Sequence, residues 1–139
     1  MILVDTNVVS EPMNTRSDKR VVAWLDRQTA ETLFISTITV SEILFRVVSD
    51  PAGSRPSRFG EAFEREIKRL FEGRILSFDL AAARAYALLM SSTRARGLSI
   101  PMADGQIAAV AATSGLAVAT RDEAPFRAAG LNTVNPWTE

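Results

Sequence analysis

Acidic residues follow two of the apolar segments of this chain, and they are its first candidates for chemistry. The opening run Ile2–Val4 is typical of a buried strand, yet it ends on the carboxylate of Asp5. Asp122 follows residues 116–120, another apolar run, in the same manner. Because burying an unpaired carboxylate is costly, an acid at the end of a buried strand needs a specific role.

Glu42 is a third candidate acid, and its position has two interpretations. It follows the apolar run Leu33–Ser36 in the segment STITVSEILF, so it lies in the first turn of a predicted helix. Its spacing from Thr39 fits a capping box, in which the Glu42 carboxylate accepts a hydrogen bond from the Thr39 backbone N–H. The same position also suits a site built at the end of the preceding strand.

Asp104 and Asp79 lie at the starts of two further predicted helices, but their surroundings differ. Asp104 shares a helix face with the apolar residues Ile107, Ala108 and Ala111. An acid that only complemented the helix dipole would not need that face, so Asp104 is a candidate site residue. Asp79 directly precedes a long helix, and a role as its N-cap explains it.

The elements that must position these acids alternate along the chain. Apolar runs at residues 2–4, 33–36, 74–79 and 116–120 are separated by segments with helical periodicity. This alternation predicts an α/β domain whose mostly parallel sheet is covered on both faces. In such sheets ligands bind at the carboxyl ends of the strands, so the acids are expected to converge at one edge.

Converging carboxylates predict a bound metal ion. Asp5, Glu42, Asp104 and Asp122 would repel one another and raise one another's pKa values unless a cation lay between them. The chain contains neither Cys nor His, which excludes thiolate zinc sites and Ser-His-Asp triads and leaves oxygen ligands, suited to Mg²⁺ or Mn²⁺. One or two such ions can activate water and stabilise an in-line phosphoryl displacement.

The overall composition indicates an ordinary globular protein. The 139 residues are 47% hydrophobic and 23% charged, which predicts one domain spanning residues 1–139. Sixteen basic residues balance sixteen acidic ones, so net charge does not identify a nucleic-acid partner. We find no signal-peptide pattern and no apolar run of about 18 residues, and we therefore expect a cytoplasmic protein without a membrane partner.

Six segments, taken in their order and spacing, resemble a known family over nearly the whole chain. They are MILVDTNVVSE, ISTITVSEI, GRILSFDLAAARAYA, PMADGQIAA, LAVATRD and VNPW. Together they resemble the PIN domains, in particular the VapC-type toxin ribonucleases of bacterial type II toxin–antitoxin systems. The resemblance implies a three-layer α/β/α PIN-like domain with a mostly parallel central sheet of four to five strands.

The resemblance also implies roles for individual residues. Asp5, Glu42 and Asp104 match the acidic triad that holds Mg²⁺ or Mn²⁺ in this family, and Asp122 matches its more variable fourth position. The family places polar residues that orient the acids or their water ligands at the positions of Thr6, Asn7 and Thr120. Each of these three could equally be a helix-cap or turn residue.

The activity implied by the resemblance is metal-dependent endonucleolytic hydrolysis of RNA. Candidate phosphate contacts are Arg55, Arg58, Arg94 and Arg96, for which a solvated surface position is the alternative. The family pattern further implies a homodimer and a VapB-type antitoxin. The C-terminal segment of that antitoxin would cover the acidic site and the apolar groove leading to it.

Two positions depart from the family pattern. Many relatives have Gly where this chain has Arg46, which at i,i+4 could pair with Glu42 and lower activity. Relatives often have Asp at the position of Pro125. The second departure weakens the assignment of Asp122 relative to that of the triad.

Two other functions remain open on the sequence. A strand ending in Asp-Thr-Asn is similar to the phosphoaspartate phosphatases, but Asn7 stands where those enzymes usually have a second Asp. They also need a later Lys, and Lys19 and Lys68 are not at predicted strand ends. The other alternative is a non-catalytic PIN-fold module that binds RNA or a protein.

Overall fold

Parallel strands form the central sheet of the protein, seen here in a computed structural model that describes residues 1–49, 60–65 and 67–139. The strands are β1 (Ile2–Val4), β2 (Leu33–Ser36), β3 (Ile75–Leu76), β4 (Ala117–Ala119) and β5 (Thr133–Val134). Their order in the sheet is β3, β2, β1, β4, β5, and every neighbouring pair is parallel. The prediction of an α/β fold with a mostly parallel sheet is confirmed.

Helices connect the strands. They are α1 (Thr6–Ser10), α2 (Lys19–Arg27), α3 (Thr37–Ser49), α4 (residues 60–65), α5 (Leu80–Ala95), α6 (Met102–Ser114) and α7 (Ala124–Ala128). A π-helical turn, Ile67–Phe71, follows α4, and short 3-10 turns span Glu11–Met13 and Ala30–Thr32. In the described ranges, no helix has the length and apolar character needed to cross a membrane.

Two hydrophobic cores lie on opposite faces of the sheet. Successive residues of a strand point to opposite faces, and Leu3 and Val4 of β1 accordingly belong to different cores. Leu3 packs in a cluster with Ile107 of α6 and Phe126 of α7. Val4 packs in the other cluster, which includes Trp24 of α2. Helices therefore cover both faces, which gives the predicted three-layer α/β/α arrangement.

The side of the sheet to which the chain adds new strands changes at β1. β2 and β3 lie on one side of β1, whereas β4 and β5 lie on the other. Val4 is in register with Ala119 of β4, and the Asp5 N–H donates to the Ala119 carbonyl at 2.9 Å. In open α/β sheets such a switch point is where ligands bind. The fold thus brings the residues that follow β1 and β4 together at this point.

The helix ends explain two of the residues singled out in the sequence. Asp79 is the N-cap of α5, as predicted, and its Oδ1 accepts a hydrogen bond from the Ala82 N–H at 2.9 Å. The capping box predicted for Thr39 and Glu42 is wrong, because α3 begins at Thr37 and Thr39 already lies within it. The Thr39 N–H donates instead to the Ser36 hydroxyl at 3.1 Å.

Candidate metal centre

Asp5 is the buried centre of the candidate site. Its side chain is 5% exposed, and both of its oxygens accept hydrogen bonds. Oδ1 accepts from the Thr6 backbone N–H at 2.8 Å, and Oδ2 accepts from the Thr120 hydroxyl at 2.8 Å. Thr120 is fully buried and follows β4 directly, so the switch point itself positions this contact.

Burial raises the pKa of Asp5. Removal from water raises the pKa of this carboxyl to about 6, and the charges of Asp104 and Glu42 add to the rise. The hydrogen bonds from Thr120 and Thr6 act in the opposite direction but do not cancel the effect of burial. A carboxylate in this environment gains from a nearby cation, which would favour its charged form.

Thr6 connects Asp5 to Glu42. The Thr6 hydroxyl donates to Glu42 Oε1 at 2.7 Å, and it also lies 3.2 Å from the Thr39 hydroxyl. Glu42 is exposed on the first part of α3, so its carboxylate remains accessible to solvent while one oxygen is held. In the capping box, Glu42 would accept a hydrogen bond from the Thr39 backbone N–H. In the structure it accepts one from the Thr6 hydroxyl of α1 instead.

Asp104 approaches the other acids from α6. It is partly buried, and the pKa of its carboxyl is raised first by burial and then by the charges of Glu42 and Asp122. The next residue, Gly105, lets α6 pack closely on α5. A Cβ at Gly105 would lie 2.7 Å from Met90 Sδ and 3.0 Å from Tyr86 Cε2.

Asp122 and Asn7 lie around the Thr120 hydroxyl. The Asp122 backbone N–H donates to this hydroxyl at 3.1 Å, and the Asn7 side-chain amide contacts it at 3.5 Å. The Asn7 Oδ1 accepts the Arg121 N–H at 3.3 Å. The structure thus places Thr6, Asn7 and Thr120 in hydrogen-bonded contact with the segments that carry the acids.

The acids form one electrostatic group with an open arrangement. Asp5 is affected by the charges of Asp104 and Glu42, and Asp104 by those of Glu42 and Asp122. Across residues 1–49, 60–65 and 67–139, however, no three acidic side chains stand close enough to hold a metal ion by themselves. Like charges repel, and Mg²⁺ usually keeps several water ligands. The all-oxygen donor set therefore fits a hard, partly hydrated divalent ion.

The predicted arginine contacts have different outcomes. Arg55 and Arg58 lie outside the described residues. Arg94 is exposed in the last turn of α5, and Arg96 donates to the Ala128 carbonyl of α7 at 2.6 Å. The Arg96 contact does not connect this arginine with the acids.

The two departures from the family pattern have local explanations. Arg46 donates from Nη2 to Asn14 Oδ1 at 3.4 Å, and Glu42 is held by Thr6. Pro125 lies in the first turn of α7, where its missing N–H would have no partner within the helix. Pro125 is therefore well accommodated in the first turn of this short helix.

Residues that sequence reasoning missed include Gly105 and Arg121. A glycine inside a helix is unfavourable unless close packing requires it, so Gly105 carried a weak signal. The Arg121 guanidinium lies 4.2 Å from the centroid of the Trp137 ring, and α7 and β5 separate the two residues along the chain. No local spacing in the sequence identifies that pair.

Comparisons with known proteins agree with this fold. A family model described as "PIN domain" matches residues 2–131. The VapC ribonuclease Y4jK of Sinorhizobium fredii is 48% identical over 137 residues, covering 99% of this chain and 98% of the relative. Toxin FitB of Neisseria gonorrhoeae is 44% identical over 137 residues, covering 99% of each. The crystal structure of FitAcB from Neisseria gonorrhoeae superposes with a TM-score of 0.92 at 44% identity, again covering 99% of each chain.

Proposed function

Because the chain belongs to the PIN domain family, we propose that it is a Mg²⁺- or Mn²⁺-dependent endoribonuclease and the toxin of a toxin–antitoxin pair. Relatives named as a VapC ribonuclease and as a toxin, similar over nearly their full lengths, support this proposal. The observation that carries it is that Asp5, which follows β1 at the topological switch point, is buried and that the charges of Asp104 and Glu42 help to raise the pKa of its carboxyl. In this proposal residues 1–139 act as a single cytoplasmic domain.

The site residues divide into those that would hold an ion and those that orient them. Asp5, Glu42 and Asp104 would hold Mg²⁺ or Mn²⁺, with Asp122 as a fourth acid nearby. A bound ion would lower the pKa of a water molecule and stabilise charge on the phosphate oxygens. Thr6 and Thr120 orient the carboxylates of Glu42 and Asp5 through their hydroxyl groups.

An exposed apolar surface on α3 supports the proposal of an antitoxin partner. Leu44, Phe45 and Val48 are 41%, 71% and 79% exposed, which is unusual for side chains of this size. Leu44 and Val48 also line an open groove of about 820 Å³ between α3 and α4. A VapB-type segment in this groove would therefore contact α3, the helix that also carries Glu42. Exposed Leu80 and Leu88 on α5 offer apolar surface for the proposed homodimer.

The proposal is tested by incubating purified, partner-free protein with a mixed pool of transfer and ribosomal RNA in Mg²⁺ or Mn²⁺. We expect discrete fragments that vanish in EDTA and in Asp5→Asn. Asp79→Asn is the matched control, because it makes the same chemical change at a helix N-cap that Asn also fills well. Cleavage that persists in Asp5→Asn or in EDTA would refute the proposed site.

A non-catalytic PIN-fold binding module is the second candidate function. The open arrangement of the acids favours it, because within the described residues no three of them close a metal site. This alternative predicts RNA or protein binding by a folded protein that cuts no RNA in the pool at any metal concentration. Metal-dependent fragments would exclude it.

A further inference from the structure

Arg121 and Trp137 form a stacked pair beside the acidic site. Arg121 lies between Thr120, which donates to Asp5, and the fourth acid Asp122. Its guanidinium carbon is 4.2 Å from the centroid of the Trp137 ring. Arg121 is exposed, whereas Trp137 is only 7% exposed, so a buried indole supports an accessible cation.

Hydrogen bonds to the backbone hold both members of the pair. The Arg121 N–H donates to Asn7 Oδ1 at 3.3 Å, and the Arg121 carbonyl accepts from Asn135 Nδ2 at 3.4 Å. The Asn135 Oδ1 in turn accepts the Trp137 N–H at 3.0 Å. Asn135 therefore links the backbones of Arg121 and Trp137, and the stacked geometry is organised before any ligand arrives.

The positive charge of Arg121 is available to a ligand. Among the described residues, no carboxylate lies within ion-pair distance of Arg121. Asp18 attracts it from further away, but the Asp18 carboxylate already accepts hydrogen bonds from Arg20 at 2.8 and 3.1 Å. A guanidinium over an aromatic ring still has N–H donors that can bind a phosphate or carboxylate.

We propose that Arg121, braced by Trp137, binds a phosphodiester group of the RNA next to the bond cleaved at the acidic site. This inference rests on the proposed function. RNA that approaches Asp5, Glu42, Asp104 and Asp122 meets repulsion, and a cation carried between Thr120 and Asp122 would offset part of it. Because the Trp137 indole is buried, it offers no open face on which a base could stack. A contact from Arg121 to a phosphodiester group does not depend on base sequence.

Binding of a short, labelled single-stranded RNA to Asp5→Asn protein at fixed Mg²⁺ tests this inference without cleavage of the probe. In that background Arg121→Met keeps an apolar contact with Trp137 and removes the charge. We expect it to weaken binding about tenfold, the size of one charged hydrogen-bonded contact. The slope of log Kd against log salt concentration should fall by about 0.7. Arg121→Lys, which keeps the charge without the planar edge, should lose less affinity.

The matched control is Arg27→Met, since Arg27 is exposed at the end of α2, ahead of β2 and therefore towards the opposite edge of the sheet. Equal affinity and equal salt slope for Arg121→Met and Arg27→Met would overturn the role of Arg121, even if the wild type cleaves RNA. If Arg121→Met does not fold, Arg121→Ala and Arg121→Lys replace it. The role of Arg121 would then be overturned if Arg121→Ala kept full RNA affinity and the full salt slope. It would also be overturned if Arg121→Lys lost more RNA affinity than Arg121→Ala. If the wild type neither binds nor cuts any RNA, the proposed function fails and this inference fails with it.

Discussion

The Thr6 hydroxyl donates to Glu42 Oε1 at 2.7 Å while the Thr6 backbone N–H donates to Asp5 Oδ1 at 2.8 Å. One residue of α1 thus orients two acids that come from different elements. Groups that orient metal-binding carboxylates typically change metal affinity or activity by about 10- to 100-fold when removed. The contact therefore has a measurable consequence if the acids hold a metal ion.

Thr6→Val removes the hydroxyl at nearly constant volume, and we expect it to lower the rate of RNA cleavage about 10- to 100-fold. Thr6→Ser keeps the donor and should retain most of the activity. Cleavage rates at several Mn²⁺ concentrations give the comparison. Equal rates for Thr6→Val and wild type would show that the Thr6–Glu42 hydrogen bond does not serve the reaction.

Asp5 makes the stability of the metal-free protein depend on pH. The pKa of its carboxyl is about 6 in the folded protein, against about 4 in an unfolded chain. Between these values the folded protein binds more protons than the unfolded chain. The contribution of Asp5 to the free energy of unfolding is therefore fully present below about pH 4 and is lost as pH rises through about 6. The loss is on the order of 2–3 kcal/mol.

Urea unfolding in EDTA at about pH 4.5 and about pH 7 measures this dependence. Asp5→Asn cannot titrate, so it should lose less stability than the wild type between the two pH values. Subtracting the two proteins also removes the contributions of other groups, including Asp18, whose pKa is lowered to about 2 by Arg20. An identical pH dependence in both proteins would contradict a raised pKa for Asp5.

Asp104→Asn should separate function from stability. The pKa of Asp104 is raised by burial and by Glu42 and Asp122, so its negative charge is unfavourable in the metal-free fold. Its removal should leave the Tm in EDTA unchanged or slightly higher while abolishing RNA cleavage. A large fall in Tm in EDTA would instead make Asp104 a structural residue.

Gly105→Ala should disturb the packing that places Asp104. The added Cβ would lie 2.7 Å from Met90 Sδ and 3.0 Å from Tyr86 Cε2. Overpacking of this kind costs about 1–3 kcal/mol, and we expect lower Tm and lower activity. Met90→Ala in the same protein removes the closer contact and should restore part of both. No change in Tm for Gly105→Ala would show that α5 and α6 adjust freely.

Much of the fold could be predicted because the strands are short apolar runs with little ambiguity. The bounds Ile2–Val4 and Leu33–Ser36 are the same in the sequence prediction and in the structure. β5, Thr133–Val134, was not predicted as a strand because it has only two half-buried residues and depends on pairing with β4. The π-helical turn at Ile67–Phe71 lies between the apolar runs 33–36 and 74–79, where the sequence predicted only helical periodicity.

The sheet edge that carries the candidate acids was predictable, and the contacts of those acids were less so. Ends of parallel strands share an edge, so Asp5 and Asp122 could be placed together from topology alone. The partner of Glu42 could not, since Ser36, Thr37 and Thr39 are all capable caps and only the tertiary contact with Thr6 decides between them. The Arg121–Trp137 pair is likewise a product of folding.

The measurement that tests the metal site most directly is the change in Tm on adding Mn²⁺ to wild-type protein, Asp5→Asn and Asp79→Asn. An ion that binds only the folded protein stabilises it by about 2.7 kcal/mol at a concentration about 100-fold above its Kd. We predict that wild type and Asp79→Asn gain several degrees in Tm and that Asp5→Asn gains little or nothing. Equal shifts in all three proteins, or no shift in the wild type at saturating Mn²⁺, would contradict a metal site at Asp5.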